Sequence, residues 1–169
     1  MVAVVSREKS AHSPPVKKSF RVCGVGLVLV LAAIQFFHPV RKLGPVGGLD
    51  DITARFAVPP DVQTVLANAC YDCHSNRTRY PWYANVQPVG WWLAHHINEA
   101  RGELNFSEFG TYSSKRAARK FDAIIDQVEQ GDMPLRSYTW MHPAARLTAA
   151  QRKLITSWAQ ALHDKIAPE

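Results

Sequence analysis

Residues 59–76 read Pro59-Pro60-Asp61-Val62-Gln63-Thr64-Val65-Leu66-Ala67-Asn68-Ala69-Cys70-Tyr71-Asp72-Cys73-His74-Ser75-Asn76. Asp61 is a good helix N-cap, and Val62, Val65, Leu66 and Ala69 recur at i, i+3, i+4 and i+7, the spacing of one apolar helix face. The predicted helix therefore runs directly into Cys70-x-x-Cys73-His74. Two thiols three positions apart on a helical turn share one side, within reach of the two vinyl groups of a single porphyrin. The adjacent imidazole then meets the iron as its proximal ligand. C-x-x-C-H is the attachment pattern of c-type haem, so one covalent haem c is expected on Cys70 and Cys73, with His74 on the metal. Structural zinc would need two further ligands and usually a second cysteine pair, and the remaining cysteine, Cys23, lies in an apolar run far upstream. A redox dithiol would want a βαβ setting, whereas the flanking pattern is helical.

Met133 follows Gly131-Asp132 and precedes Pro134 in a loop beyond a predicted helix. A thioether on a stiff loop is a soft ligand suited to haem iron, which makes Met133 the expected second metal ligand. The alternatives are His96, on the apolar face of its predicted helix, and Met141 and His142, eight and nine positions beyond Met133 in a second loop; an iron left open on that side is a further one. Tyr80, Trp82, Tyr83, Trp91 and Trp92 crowd the stretch around Pro81 and Pro88, which is expected to fold over the porphyrin and exclude water. Arg77, Arg79, Tyr83 or a Trp N–H are candidate partners for the haem propionates.

Further apolar stripes predict further helices. One carries Val89, Trp92, Leu93, His96, Ile97 and Ala100. Another carries Ala117, Phe121, Ile124, Ile125 and Val128, entered at Ser113 or Ser114 and closed at Gly131. Thr148-Ala149-Ala150-Gln151 is a capping box opening a last helix with Leu154, Ile155, Trp158, Ala159 and Leu162. No alternating strand pattern of any length occurs. The expected fold is a small all-α domain around haem, the ring supplying much of an apolar core that so few helices lack.

With 169 residues, one ordinary domain and a tail are possible, and 47% hydrophobic against 20% charged residues is a globular balance. The net charge of +6 is local. Residues 1–21 hold five basic side chains against Glu8, Arg41 and Lys42 add two, and from residue 43 onward 13 basic residues meet 13 acidic ones. That distribution leaves no basic nucleic-acid-binding domain, and the run Lys115, Arg116, Arg119, Lys120 reads as a solvated helix face. Between the basic flanks, residues 22–37 are almost wholly apolar, with Phe20, Phe36 and Phe37 where interfacial aromatics belong. This predicts a single-pass anchor in the lipid bilayer over residues 22–40. A cleaved signal peptide is the competing reading, but no A-x-A site follows the run. The denser basic charge precedes it, so residues 1–21 are expected to stay cytoplasmic and the bulk to be exported. Residues 41–60, with Gly44-Pro45 and Gly47-Gly48, read as a linker, and residues 61–169 as the haem c domain, periplasmic and held at the inner membrane.

The order of elements resembles a cytochrome c domain. More closely, Cys70-Tyr71-Asp72-Cys73-His74-Ser75-Asn76, Tyr80-Pro81-Trp82-Tyr83, Leu104-Asn105-Phe106-Ser107-Glu108-Phe109, Asp132-Met133-Pro134 and His142-Pro143-Ala144 resemble the bacterial haem-binding-domain family, membrane-tethered periplasmic proteins with one c-type haem. The likeness covers roughly residues 35–158. It implies a cytochrome c-like fold preceded by a transmembrane helix, with Cys70, Cys73 and His74 as attachment and proximal sites and Met133 as distal ligand. The paired histidines in Trp91-Trp92-Leu93-Ala94-His95-His96 keep bis-His ligation open.

Two functions follow from these expectations. The first is a one-electron carrier between a membrane complex and a periplasmic acceptor, the redox partner being unspecified. The second is an open-site haem protein, a small peroxidase or a gas or redox sensor, with His95 or His96 assisting a bound molecule. No acid–base pair of a separate catalytic pocket is visible, so the chain reads as a carrier rather than an enzyme.

Overall fold

The computed structural model describes residues 16–41, 43–44 and 47–167. In chain order its helices are α1 (Val16–Ile34), α2 (Ile52–Arg55), α3 (Pro60–Ala69), α4 (Tyr71–His74), α5 (Val89–Glu103), α6 (Ser114–Gln130), α7 (Arg136–Met141) and α8 (Ala149–Ile166). Three 3-10 turns lie at Trp82–Asn85, Phe106–Thr111 and Pro143–Ala145. No strand occurs among the described residues, and the fold is all-α as expected.

The principal pair is α6 against α8. Ala117, Phe121, Ile124 and Val128 of α6 meet Ile155, Trp158, Ala159 and Leu162 of α8, all buried at helical spacing. Burying each large apolar side chain stabilises by about 1.5–3 kcal/mol. Both helices begin where the sequence indicates. The Ser113 side chain accepts the Arg116 N–H, and Thr148 and Gln151 exchange the two bonds of a capping box. Gly131 ends α6 at φ 78°, in the left-handed region that glycine enters without penalty. The start of α3 differs. Pro60 opens it with Pro59 in the cap position, and Asp61 sits inside the first turn, its carboxylate accepting the Val62 N–H at 2.9 Å.

The stretch expected as a linker is instead structural from Asp50 onward. Asp51 caps α2, placing Ile52 and then Phe56 in the core, where the Phe56 ring meets Phe109 and Phe121 edge-on at 5.7 and 5.5 Å. The Gly110 N–H donates to Asp50 O at 2.7 Å, an approach that needs glycine, since a Cβ there would lie 2.8 Å from the Asp50 backbone. Asp51 also pairs with Arg77, just beyond the C-x-x-C-H motif, and Trp158 Nε1–H donates to Ala57 O at 3.1 Å. The Gly and Pro residues upstream masked these contacts because they are made with residues far away in sequence. Pro45 and Lys42 lie outside the described residues.

The predicted anchor also differs. The helix covers Val16–Ile34 rather than 22–40, and so takes in Lys17, Lys18 and Arg21. It stops where Gln35, Phe36 and Phe37 tighten into bonds from their N–H groups to Ala32, Ala33 and Ile34. Among the described residues no helix is long and apolar enough to cross a membrane. Most of the expected cytoplasmic tail, residues 1–15, lies outside the described residues. The apolar side chains of α1 from Phe20 to Leu31 are exposed. Past its end the chain docks on the domain. Gln35 exchanges bonds with the Gln87 backbone at 3.0 and 2.9 Å, Trp91 Nε1–H donates to Phe37 O at 2.8 Å, and Arg41 lies over the Tyr80 ring.

Candidate functional site

One cavity of about 540 Å³ opens between α3, α4, α5 and α6 and the segment after α6. Cys70, Cys73, His74 and Met133, four residues expected to share a centre, all line it. Leu66, Leu104, Phe106, Ile124, Val128 and Leu135, together with Ala69, Ala100, Ala123 and Pro134, supply most of the remaining wall, so its interior is apolar. Polar groups gather in Glu99, Glu103, Lys120, Gln127 and Tyr138. Lys120 Nζ lies 3.4 Å from Glu103 Oε2, and the Glu103 side chain is 84% exposed, which marks that pair as the mouth.

The motif is built locally. The Cys70 N–H bonds Leu66 O at the end of α3, and the Cys73 and His74 N–H groups both return to Cys70 O at 3.2 and 2.9 Å. This single turn puts the two sulfurs on the cavity side. Burial pushes the Cys70 thiol up to about 12, with Cys73 adding to it, and pushes Cys73 up to about 11, with Asp72 adding to it. Both are neutral thiols at physiological pH.

His74 is oriented from behind. Its Nδ1 lies 3.0 Å from Ala100 O and 3.1 Å from Leu104 O at the end of α5. Two carbonyls accept only, so Nδ1 carries the proton and donates to them. Nε2 then keeps its lone pair, the arrangement a metal-binding imidazole requires. Burial lowers the His74 pKa below its ordinary 6.5; the two backbone bonds oppose this and the Lys120 charge reinforces it.

Met133 reaches the cavity because both its own N–H and that of Asp132 bond Gln127 O, at 3.1 and 3.0 Å, directly after the turn at Gly131. His96 lines the same cavity, half-buried, with Nδ1 3.0 Å from Trp92 O and its ring 4.3 Å from the Trp92 indole. His142 does not line it. Its ring stacks on Tyr138 at 4.1 Å and faces Tyr83, and its Nδ1 is 3.0 Å from Tyr138 O. Of the four protein candidates for the second ligand, Met133 and His96 line the cavity, whereas His142 and the exposed Met141 do not.

Two further expectations are corrected. None of Tyr80, Trp82, Tyr83, Trp91 and Trp92 lines the cavity. Tyr80 and Tyr83 instead pack with Cys73 on a small second cluster of Ala84, Leu93 and Ile97, and Trp82, Trp91 and Trp92 face outward. Trp91 and Trp92 stand on α5 itself, and the Trp92 ring backs onto the cavity-lining His96 rather than entering the cavity. Arg77 and Arg79 are also absent from the wall, being held by Asp51 and Asp72. Lys120 is the cation that does line it.

Sequence reasoning missed Asp72 and Tyr138. Asp72, a variable position of the motif, is buried, and its Oδ1 accepts from Arg79 N–H and Nε–H, both at 3.1 Å. Its Oδ2 accepts the Tyr138 Oη–H at 2.7 Å. Tyr138 belongs to a six-residue helix with no buried residue and hence no periodic signal.

The residues fit a haem. The cavity volume lies within the range of cofactor sites, its wall is apolar, and a single aimed imidazole, two neutral thiols and a thioether face it. No curated protein and no solved structure matches the chain. The model of a family described as haem-binding domain matches residues 29–161. The chain belongs to the haem-binding domain family.

Proposed function

We propose that this haem-binding protein is a monohaem c-type cytochrome-like electron carrier, with haem attached through Cys70 and Cys73 and iron held by His74 and Met133. The observation that carries the reading is the convergence of these four side chains on one apolar cavity, with His74 Nδ1 committed to two carbonyls. Cys70 and Cys73 would hold the haem through thioether links, each formed by addition of S–H across a vinyl double bond with no net oxidation. When bound, the haem supplies a one-electron couple. The chain's own residues orient the imidazole, present a thioether and exclude water through Leu66, Phe106, Ile124 and Val128. A buried site with two fixed axial side chains changes little in geometry between oxidation states, which favours electron transfer over chemistry on a substrate.

The second reading, an open site serving a peroxidase or a gas or redox sensor, draws on His96, which lines the same cavity without a fixed role. The proposed setting is the periplasmic face of the inner membrane. The uncovered apolar side chains of α1 and the bonds joining its end to Gln87 and Trp91 support seating the domain at a bilayer surface.

The test is the full chain exported together with a c-type maturation system. The expected product keeps one haem per chain after denaturation, loses it on Cys70→Ala and Cys73→Ala together, and shows a low-spin spectrum with the far-red band of Met-to-iron ligation. A colourless protein overturns haem c attachment. A five-coordinate, high-spin ferric spectrum with rapid cyanide binding overturns the carrier in favour of the open site.

A further inference from the structure

Met133 stands at the start of a stretch with little packing of its own. The Asp132 and Met133 N–H groups tie its beginning to Gln127 O, and Ala145, fully buried, ties down its far end. Between these points lies α7, which has no buried residue and no side-chain cap. Its side chains bond mostly nearby, as Thr139 does to Arg136 O. Tyr138 is different. Its ring lines the cavity and stacks on His142, while its hydroxyl donates at 2.7 Å to Asp72 Oδ2, 66 positions earlier in the chain.

Asp72 is well placed to receive that bond. It lies between Cys70 and Cys73 and immediately precedes the sulfur of Cys73 and the imidazole of His74 in sequence. The Arg79 side chain and backbone hold its carboxylate, and its own carbonyl accepts Thr78 Oγ1–H at 2.7 Å. The same carboxyl group therefore touches the turn that carries the proximal histidine and the segment that carries the expected distal methionine.

The geometry points to a latch: the Tyr138–Asp72 hydrogen bond holds the Met133 segment closed over the cavity, making Tyr138 a positioning residue for the distal ligand. This rests on the reading of Met133 as that ligand. A bond from a hydroxyl to a carboxylate contributes about 1.5–3 kcal/mol, so its loss raises the population of the open segment about ten-fold or more. Tyr138→Phe removes one oxygen and keeps both the ring in the cavity wall and its stack on His142. The iron then becomes accessible more often without a new ligand or a new cavity.

The experiment uses the haem-loaded full chain in the ferric state, with imidazole as the probe and stopped-flow absorbance as the readout. The variants are Tyr138→Phe, Asp72→Asn, the two together, and Met133→Ala. The expected result is imidazole association about ten-fold faster in Tyr138→Phe than in the parent, with the far-red methionine band retained before mixing. Asp72→Asn, whose amide oxygen still accepts the hydroxyl but without the charge, accelerates it less, and the double variant adds little to Tyr138→Phe, because both act on one bond. Met133→Ala loses the band and binds fastest. Parental association rates in both Tyr138→Phe and Asp72→Asn, beside a fast Met133→Ala, overturn the latch and leave Met133 as ligand. A Met133→Ala protein with the parent's spectrum and rate removes the ligand itself, and the latch with it. Should Tyr138→Phe fail to accumulate, Asp72→Asn decides alone by the same comparison.

Discussion

Replacing Asp51 by alanine removes two interactions whose sizes can be worked separately. Its Oδ1 accepts the Thr53 N–H at 3.0 Å and the Thr53 hydroxyl at 2.7 Å, capping α2, while its Oδ2 pairs with Arg77 Nη2. Losing the cap costs about 1 kcal/mol. The second loss is larger. Asp51 is 2% exposed, and removing one member of a buried pair costs about 3–5 kcal/mol because the remaining charge stays desolvated. The Arg77 side chain is 25% exposed, so water recovers part of that cost and about 2–3 kcal/mol applies. The total is about 3–4 kcal/mol, a large part of the about 5–15 kcal/mol typical of a domain. Urea unfolding followed by far-ultraviolet circular dichroism measures it, for the parent, Asp51→Ala, Arg77→Met and the double variant, all without haem. In the Arg77→Met background Asp51→Ala should cost only the cap, about 1 kcal/mol, which leaves a coupling of about 2–3 kcal/mol. An equal cost in both backgrounds, or a total under about 1 kcal/mol, would show that residues 50–56 are the linker their composition suggests, and the reasoning fails.

Two further outcomes concern the chain without haem. At pH 8 iodoacetamide should label Cys70 and Cys73 at least about ten-fold more slowly in the folded chain than in the urea-unfolded one, since burial keeps both protonated; peptide mass spectrometry reads this. Equal labelling rates with and without urea refute it. His74 has a folded-state pKa below its ordinary 6.5, so on acidification the unfolded chain takes up a proton before the folded one does. Stability is therefore unpenalised above about pH 6.5 and falls as pH drops below it, a dependence that His74→Gln should flatten; urea midpoints at pH 7.5 and pH 5 for both proteins give the comparison.

Both ends of α6 and the start of α8 were legible because capping depends on residues three or four positions apart, as at Ser113, Gly131, Thr148 and Gln151. Residues that act across long sequence separations were not. Asp51 meets Arg77 and Tyr138 meets Asp72 through single side-chain bonds that leave no periodic trace. The aromatic run Tyr80 to Trp92 was misleading for the opposite reason. Its composition announces burial, but Trp82, Trp91 and Trp92 are exposed and Tyr80 and Tyr83 pack on Ala84, Leu93 and Ile97, so none of the five lines the cavity.

The sequence by itself determined the C-x-x-C-H motif, the all-helical character, both ends of α6 and the start of α8. Each of these rests on spacing within a turn or two, where the covalent chain already limits the geometry. Only the tertiary structure decided that Met133 and His96 reach the cavity and His142 does not, that Ile52 and Phe56 belong to the core, and that Ala100 and Leu104 aim His74. Those outcomes depend on how whole helices dock, through packing and desolvation summed over many distant partners, and no local pattern carries that sum.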